Sequence, residues 1–242
     1  MYFAGVRSKL ISDKAPRLKI RFLSKSFNLH HQNETVLDVL DDIHLDVKPG
    51  ECVCLNGASG TGKSSLLRCI YGNYRASNGD IYVHHLGKDI NLVSAEPRQI
   101  LEIRRQTLGY VTQFLRVIPR VPTIDVVAEP LLERGVPFND ARDQSADILQ
   151  RLNIDEKLWP LAPATFSGGE QQRINIARSF IAAYPIMLLD EPTSALDASN
   201  RDEVMGLIQE CLEKGSAMLG IFHDEEVRDR VSTRLFNMPI RG

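Results

Sequence analysis

Long hydrophobic runs are missing from this chain of 242 residues. No uninterrupted apolar stretch approaches the roughly eighteen to twenty residues that a membrane-crossing helix needs, so direct membrane insertion is not expected. A signal peptide is not expected either. Residues 1–17 carry Arg7, Lys9, Lys14 and Arg17 without an apolar stretch between them, and read as a flexible extension before the first strand. A cytoplasmic location is the default expectation. An excess of either charge sign is also absent: 29 Lys and Arg against 31 Asp and Glu leave a net charge of -2. No bulk field marks a nucleic-acid partner. Cysteine is scarce, with four residues (Cys52, Cys54, Cys69 and Cys211) and no His or Cys cluster to complete a metal site around them. They read as small buried hydrophobes. The single tryptophan, Trp159, reads as packing. His30, His31, His84 and His85 read as solvated loop or hairpin residues.

What is present is an ordinary globular composition, 43% hydrophobic and 25% charged, with enough chain for a sizeable core. Residues 18–27 and 36–47 read as strands, and 81–84 as another after the turn "SNGD". Four short apolar runs, at 51–55, 108–112, 185–189 and 217–222, suit strands buried on both faces of a parallel sheet. Polar or glycine residues follow each: Asn56-Gly57, Gln113, Asp190-Glu191 and His223-Asp224. Ligands of open α/β sheets bind at the carboxyl ends of strands, so the four followers are expected in one site. Residues 119–163 read as helices with Pro breaks. The expected fold is α/β, with a helical subdomain inserted at about 114–180.

The strand at 51–55 runs into "GASGTGKS" at 57–64, which fits G-x-x-x-x-G-K-[ST] between a strand and a helix, the pattern of a phosphate-binding loop. Gly57, Ala58, Ser59, Gly60, Thr61, Gly62, Lys63, Ser64 and Ser65 are the candidate nucleotide-binding residues. Glycines let backbone N–H groups face an anion, and the following helix adds its positive end. Lys63 brings a full charge to the outer phosphates, and the Ser64 hydroxyl is a Mg²⁺ ligand. Asp190, ending an apolar strand, can hold Mg²⁺ opposite Ser64. Glu191 beside it can accept a proton from an attacking water. Gln113 can reach both metal and water, and His223 can donate to the terminal phosphate.

A second pattern is "TFSGGEQQR" at 165–173. Ser167 and Glu170 form an S-x-x-E capping box at a helix start. The glycines Gly168 and Gly169 weaken a first helical turn and permit close approach to its backbone.

These residues, in this order, resemble the ATP-binding cassette (ABC) ATPases from about residue 18 to 238. The resemblance implies a P-loop NTPase (RecA-like) core with an antiparallel β subdomain and an inserted helical signature subdomain, so that residues 18–242 form one nucleotide-binding domain. It implies ATP and Mg²⁺ as ligands. Glu191 becomes the catalytic glutamate, with Gln113 and His223 assisting, and Ser64, Gln113 and Asp190 become the metal set. Phe27 falls where the family places an aromatic on adenine, and Asp197 belongs to the loop after Glu191. Ser167, Gly168, Gly169 and Glu170 would face the nucleotide of a second subunit in a head-to-tail dimer, homodimeric or with a related ABC subunit. Glu170 stands where the family usually has Gln, and Phe166 where it has Leu.

Three stretches are less generic: residues 113–120 ("QFLRVIPR"), 158–180 and 220–231. Together they resemble the PhnL-type ATP-binding proteins of the phosphonate carbon–phosphorus lyase system. That implies a soluble ATPase partnered with C–P lyase subunits. The alternative is the ATP-binding subunit of a lipoprotein-release or peptide-export transporter. A third reading is a nucleotide-gated clamp in which hydrolysis only resets assembly.

Overall fold

The computed structural model describes residues 15–29, 35–112 and 120–239. Gln113, His30 and His31 lie outside the described residues, as does most of the stretch at 113–120. The chain opens with two long strands, β1 (Leu18–Leu29) and β2 (Thr35–Val47), followed by β3 (Cys52–Asn56) and α1 (Lys63–Ile70). Next come β4 (Asn78–His85), β5 (Lys88–Asn91), α2 (Pro97–Gln106) and β6 (Leu108–Val111). Two helices follow, α3 (Thr123–Glu133) and α4 (Phe138–Arg151), then short 3-10 turns at Glu156–Leu158 and Pro163–Thr165 and helix α5 (Gly168–Phe180). The last elements are β7 (Ile186–Asp190), α6 (Ala198–Glu213), β8 (Ala217–Ile221), α7 (Glu225–Val231) and β9 (Arg234–Asn237).

The strands form two sheets. An antiparallel sheet has the order β2-β1-β4-β5, and a parallel sheet the order β6-β7-β8-β3-β9. Every residue of β7 and β8 is buried, as continuous apolar runs require in a parallel sheet covered on both faces. The period-2 alternation of a strand divides those runs between two cores. Cys52, Cys54, Met187 and Leu189 face one core with Val127 of α3, Leu149 of α4, Ile176 of α5 and Ile208 of α6. Val53, Leu55, Ile186 and Leu188 face the other, with Ile20 of β1, Leu45 of β2, Leu67 of α1 and Ile103 of α2. A fully buried Leu or Ile stabilises the fold by about 1.5–3 kcal/mol, so both faces bind their layers firmly.

All four cysteines are free and buried. A hydrogen bond with Cys54 and burial push the Cys52 thiol up, which keeps it an inert neutral packing group. Trp159 packs against the first core and its indole N–H donates to the Ile154 carbonyl at 3.0 Å.

Two local expectations need correction. His85 is not solvated: it is 5% exposed, with Nδ1 hydrogen-bonded to Thr107 Oγ1 at 2.6 Å. His84 is exposed and pairs with Asp89. Asn78–Asp80 is not a turn but the start of β4, paired with a bulged stretch of β1 between Arg21 and Ser24. The bulge puts Phe22 at φ 52, and its carbonyl folds over Gly79. A Cβ on Gly79 would lie 2.2 Å from that oxygen, so only glycine fits. Finally, β5 and β9 carry no alternating apolar pattern; β5 is held by the two-residue Leu86-Gly87 turn and β9 by parallel pairing with β3.

Gly79 and Gly87 both sit at positive φ, but a Cβ on Gly87 would meet nothing within 4 Å. Gly87→Ala is therefore expected to cost only the left-handed penalty, about 1–2 kcal/mol. Gly79→Ala adds a backbone collision and should cost about 3 kcal/mol or more. Urea unfolding midpoints of the two variants check the difference, and equal losses would refute the bulge contact.

Candidate functional site

The carboxyl ends of β3, β7 and β8 deliver their polar followers to one edge of the parallel sheet, as their adjacency in the order β7-β8-β3 requires. β3 leads into the exposed loop at 57–60 and then into α1, whose N-cap is Gly62 at φ 90. A Cβ on Gly62 would sit 2.6 Å from the Val39 carbonyl, so the left-handed turn that starts the helix admits no side chain. No side chain caps the N-terminus of α1. Its first N–H groups and its positive end are thus presented together with the loop, which is the chemistry of an anion cradle. Lys63 folds over the loop: its ammonium donates to the carbonyls of Gly57 at 2.6 Å and Ala58 at 2.9 Å. Thr61 Oγ1 donates to Ala58 O at 2.9 Å and closes the turn that contains Ser59 and Gly60.

Ser64, on the first turn of α1, reaches across to β7. Its hydroxyl donates to Asp190 Oδ1 at 3.1 Å, and the Tyr110 hydroxyl donates to Asp190 Oδ2 at 3.0 Å. Ser65 is half-buried on the next position of the helix. Asp190 is 5% exposed, so its charge is balanced by hydroxyls rather than by bulk water. Among the described residues no group of three or more His, Cys, Asp or Glu side chains could hold a metal by themselves. That donor set fits Mg²⁺ bound with phosphate: this ion keeps several waters and needs only one or two protein oxygens beside substrate phosphates.

Glu191 follows at φ 54, a left-handed conformation that costs a non-glycine residue about 1–3 kcal/mol. It is held there by its N–H donating to Ile221 O of β8 and by Ser194 donating to its carbonyl. The turn aims the carboxylate at His223, whose Nε2 lies 2.6 Å from Oε1. The imidazole N–H donates to the carboxylate, because a carboxylate can only accept. Lys63, Ser64, Asp190, Glu191 and His223 are therefore brought together from one helix and the ends of two strands.

The remaining candidates sit on other elements. Ser167 caps α5 with the full reciprocal box: its hydroxyl accepts from the Glu170 N–H, and its own N–H and hydroxyl donate to Glu170 Oε2 at 2.9 and 2.7 Å. Ser167 and Gly168 are exposed, and a Cβ on Gly168 would meet nothing, so this helix start faces open space. Gly169 packs more closely, under the Ala195 carbonyl. Asp197 caps α6, with Asn200 holding its carboxyl below the usual carboxylate range. Phe27 lies on β1. A cleft of about 520 Å³ lies next to Thr61, lined by Ser24, Ser26, Val39 and Leu40 among others, while the Phe27 ring packs edge-on against Tyr74 at 5.2 Å. The strand alternation of β1 puts Ser26 and Phe27 on opposite faces. Tyr110 is the residue that sequence reasoning missed. Its run "LGYVT" reads as core, and nothing in the pattern signals a hydroxyl crossing to β7.

The cap box generates a pH prediction. The Ser167 hydroxyl, then its backbone N–H, hold the Glu170 carboxyl below its ordinary value. A depressed folded pKa gives stability that is present above the unfolded value, about 4.3, and is lost as pH falls through the folded value. Ser167→Ala should cost about 1 kcal/mol at neutral pH. Its deficit against the parent chain should shrink below about pH 4. Denaturant midpoints measured across that range check this, and a pH-independent deficit would show the box is not formed.

The family model described as ABC transporter matches residues 40–194. The lipoprotein-releasing system ATP-binding protein LolD of Alcanivorax borkumensis is 33% identical, over 91% of this chain and 93% of its own length. The macrolide export ATP-binding/permease protein MacB of Brucella abortus is 34% identical over 89% of this chain. The chain spans only 32% of that protein's length. Among solved structures, a dimeric structure of the ABC transporter cassette MJ0796 superposes with a TM-score of 0.82 at 27% identity, over 91% of this chain and 94% of that one. A further structure of MJ0796, a dimer in a post-hydrolysis state bound to ADP and Pi, gives a TM-score of 0.81. With the loop, the two acidic residues and the histidine on one sheet edge, these likenesses show that the chain belongs to the ABC transporter family and is an ATP hydrolase built on its P-loop cassette.

Proposed function

We propose that the chain binds ATP at residues 57–65 and hydrolyses it with Glu191 as the base that activates water. The observation that carries this is the convergence of Lys63, Ser64, Asp190, Glu191 and His223 at the carboxyl ends of adjacent strands. The loop N–H groups and the end of α1 bind the phosphates, and Lys63 exchanges its two loop carbonyls for phosphate oxygens. Ser64 and Asp190 would hold Mg²⁺, with Gln113 as a further ligand; the ion neutralises charge that develops on the phosphates. Glu191 takes the proton of the water, and His223 orients that carboxylate and donates to the terminal phosphate. The exposed start of α5 at Ser167, with Gly168, Gly169 and Glu170, meets the nucleotide of a second cassette, and Asp197 lies in the same interface. The dimeric state of MJ0796 supports that assembly.

The partner is read as a membrane permease of the lipoprotein-release or export kind, with this chain as its separate ATP-binding subunit. Near-full-length similarity to LolD supports this, as does similarity to the ATP-binding portion of MacB. No helix among the described residues is long and apolar enough to cross a membrane. A second reading, a C–P lyase subunit acting in phosphonate breakdown, rests on the stretches at 113–120, 158–180 and 220–231.

One experiment tests chemistry and partner together. Glu191→Gln should bind ATP, accumulate as a dimer in ATP with Mg²⁺, and lose at least about 100-fold in turnover. Phosphate release and light scattering read those effects; parental turnover would remove Glu191 from its role. Tagged Glu191→Gln protein should then retain an integral permease from detergent-solubilised membranes of its native cell. Retention of soluble phosphonate-degrading enzymes instead would establish the second reading.

A further inference from the structure

Tyr110 has no part in the mechanism above, yet its hydroxyl reaches the most buried charge of the site. It donates to Asp190 Oδ2 at 3.0 Å, while Ser64 donates to Oδ1 at 3.1 Å. Both oxygens of one carboxylate are thus held by hydroxyls from different elements. We propose that Tyr110 is a positioning residue for the metal site: it fixes the rotation of the Asp190 carboxylate, so that Oδ1 stays directed at Ser64 and the divalent cation. This rests on the reading of Asp190 as the metal-side carboxylate.

The geometry gives the hydroxyl a rigid mount. β6 and β7 are neighbours in register, Tyr110 beside Leu188, so the phenol points two residues along the adjacent strand to Asp190. Its ring packs on Tyr71, with centroids 5.0 Å apart. Tyr71 is in turn covered by the Arg104 guanidinium at 4.3 Å, which also donates to the Tyr71 carbonyl at 2.6 and 2.9 Å. Without that hydroxyl, Oδ2 would be a buried acceptor with no partner, and the carboxylate would turn to satisfy it. The consequence falls on the carboxylate and the cation it would hold, since the Tyr110 hydroxyl donates to Asp190.

The test removes the hydroxyl and keeps the ring. Tyr110→Phe, Asp190→Asn and the double variant are made in the Glu191→Gln background, and Mn²⁺ binding in the presence of ATP is titrated by electron paramagnetic resonance. Tyr110→Phe is expected to weaken Mn²⁺ binding about three- to tenfold, with ATP affinity in EDTA unchanged. The double variant should bind Mn²⁺ no more weakly than Asp190→Asn alone. Unchanged Mn²⁺ affinity in Tyr110→Phe, where Asp190→Asn weakens it, overturns the proposal and leaves the metal reading intact. Unchanged affinity in Asp190→Asn overturns both. An equal loss of ATP affinity in EDTA would make Tyr110 a packing residue and also overturn the proposal. Tyr110→Met, which fills similar space without a hydroxyl, gives the same comparison if the phenylalanine variant unfolds.

Discussion

Burial of the parallel sheet on both faces is the constraint on which the rest of this molecule depends. A strand such as Ile186–Asp190, with every residue buried, has no face on which to carry chemistry. A charged side chain along it would lose its hydration with nothing to replace it. Polar function is therefore driven to the strand end, where a turn can leave the sheet and water or ligand can enter. Asp190 marks the limit of this. It is the last residue of β7, still buried, and tolerable only because Ser64 and Tyr110 donate to it. One residue further on, Glu191 has turned away through a left-handed backbone, and its carboxylate meets His223. The sheet order β7-β8-β3 then decides which strand ends are neighbours, so the site follows from the topology rather than from any single motif.

The parts of the fold that were legible in the sequence share one property: their pattern reflects burial directly. Continuous apolar runs mark the four buried strands, and the loop at 57–64 and the capping box at Ser167–Glu170 are local chemistry with fixed spacing. The parts that were not legible depend on partners distant in sequence. β9 exists because it pairs in parallel with β3, about 180 residues earlier in the chain, and Arg234 finds Glu51 across that pairing at 2.6 Å. His85 is buried because Thr107 offers it a hydrogen bond. Asn78–Asp80 has turn chemistry but becomes strand, because the bulge in β1 needs a glycine opposite Phe22. In each case tertiary pairing overrides a local preference that is worth only about 1 kcal/mol.

The same distinction explains the site. Lys63, Ser64, Asp190, Glu191 and His223 follow from motif and strand end together. Tyr110 was hidden because an aromatic in an apolar run signals packing, and the hydroxyl that distinguishes it from Phe matters only once β6 lies beside β7. Phe27 raises a related question of strand faces. Its place in the chain suggested a base-stacking surface, but which face of β1 it occupies depends on the register shifts between Leu23 and Ser26. A one-residue shift in a strand exchanges its faces, and no motif encodes that.

The molecule also holds two glycine-rich helix starts that differ in one decisive respect. The N-terminus of α1 follows Gly62 and has no side-chain cap, so its donors remain for an anion. The N-terminus of α5 follows Ser167 and is satisfied by Glu170 on the spot. An uncapped start costs stability until a ligand arrives, so its binding energy is coupled to the order of the loop before it. A capped start is stable alone and can be carried on the surface as a rigid face. A ligand at α5 would have to add to the cap instead of replacing it, through N–H groups that the Ser167 hydroxyl does not take. Glu170 sets a condition on that encounter: its carboxylate is ionised at neutral pH and lies within one turn of any anion that approaches. Any anion that approaches this helix start must therefore bring enough positive charge with it to offset that carboxylate.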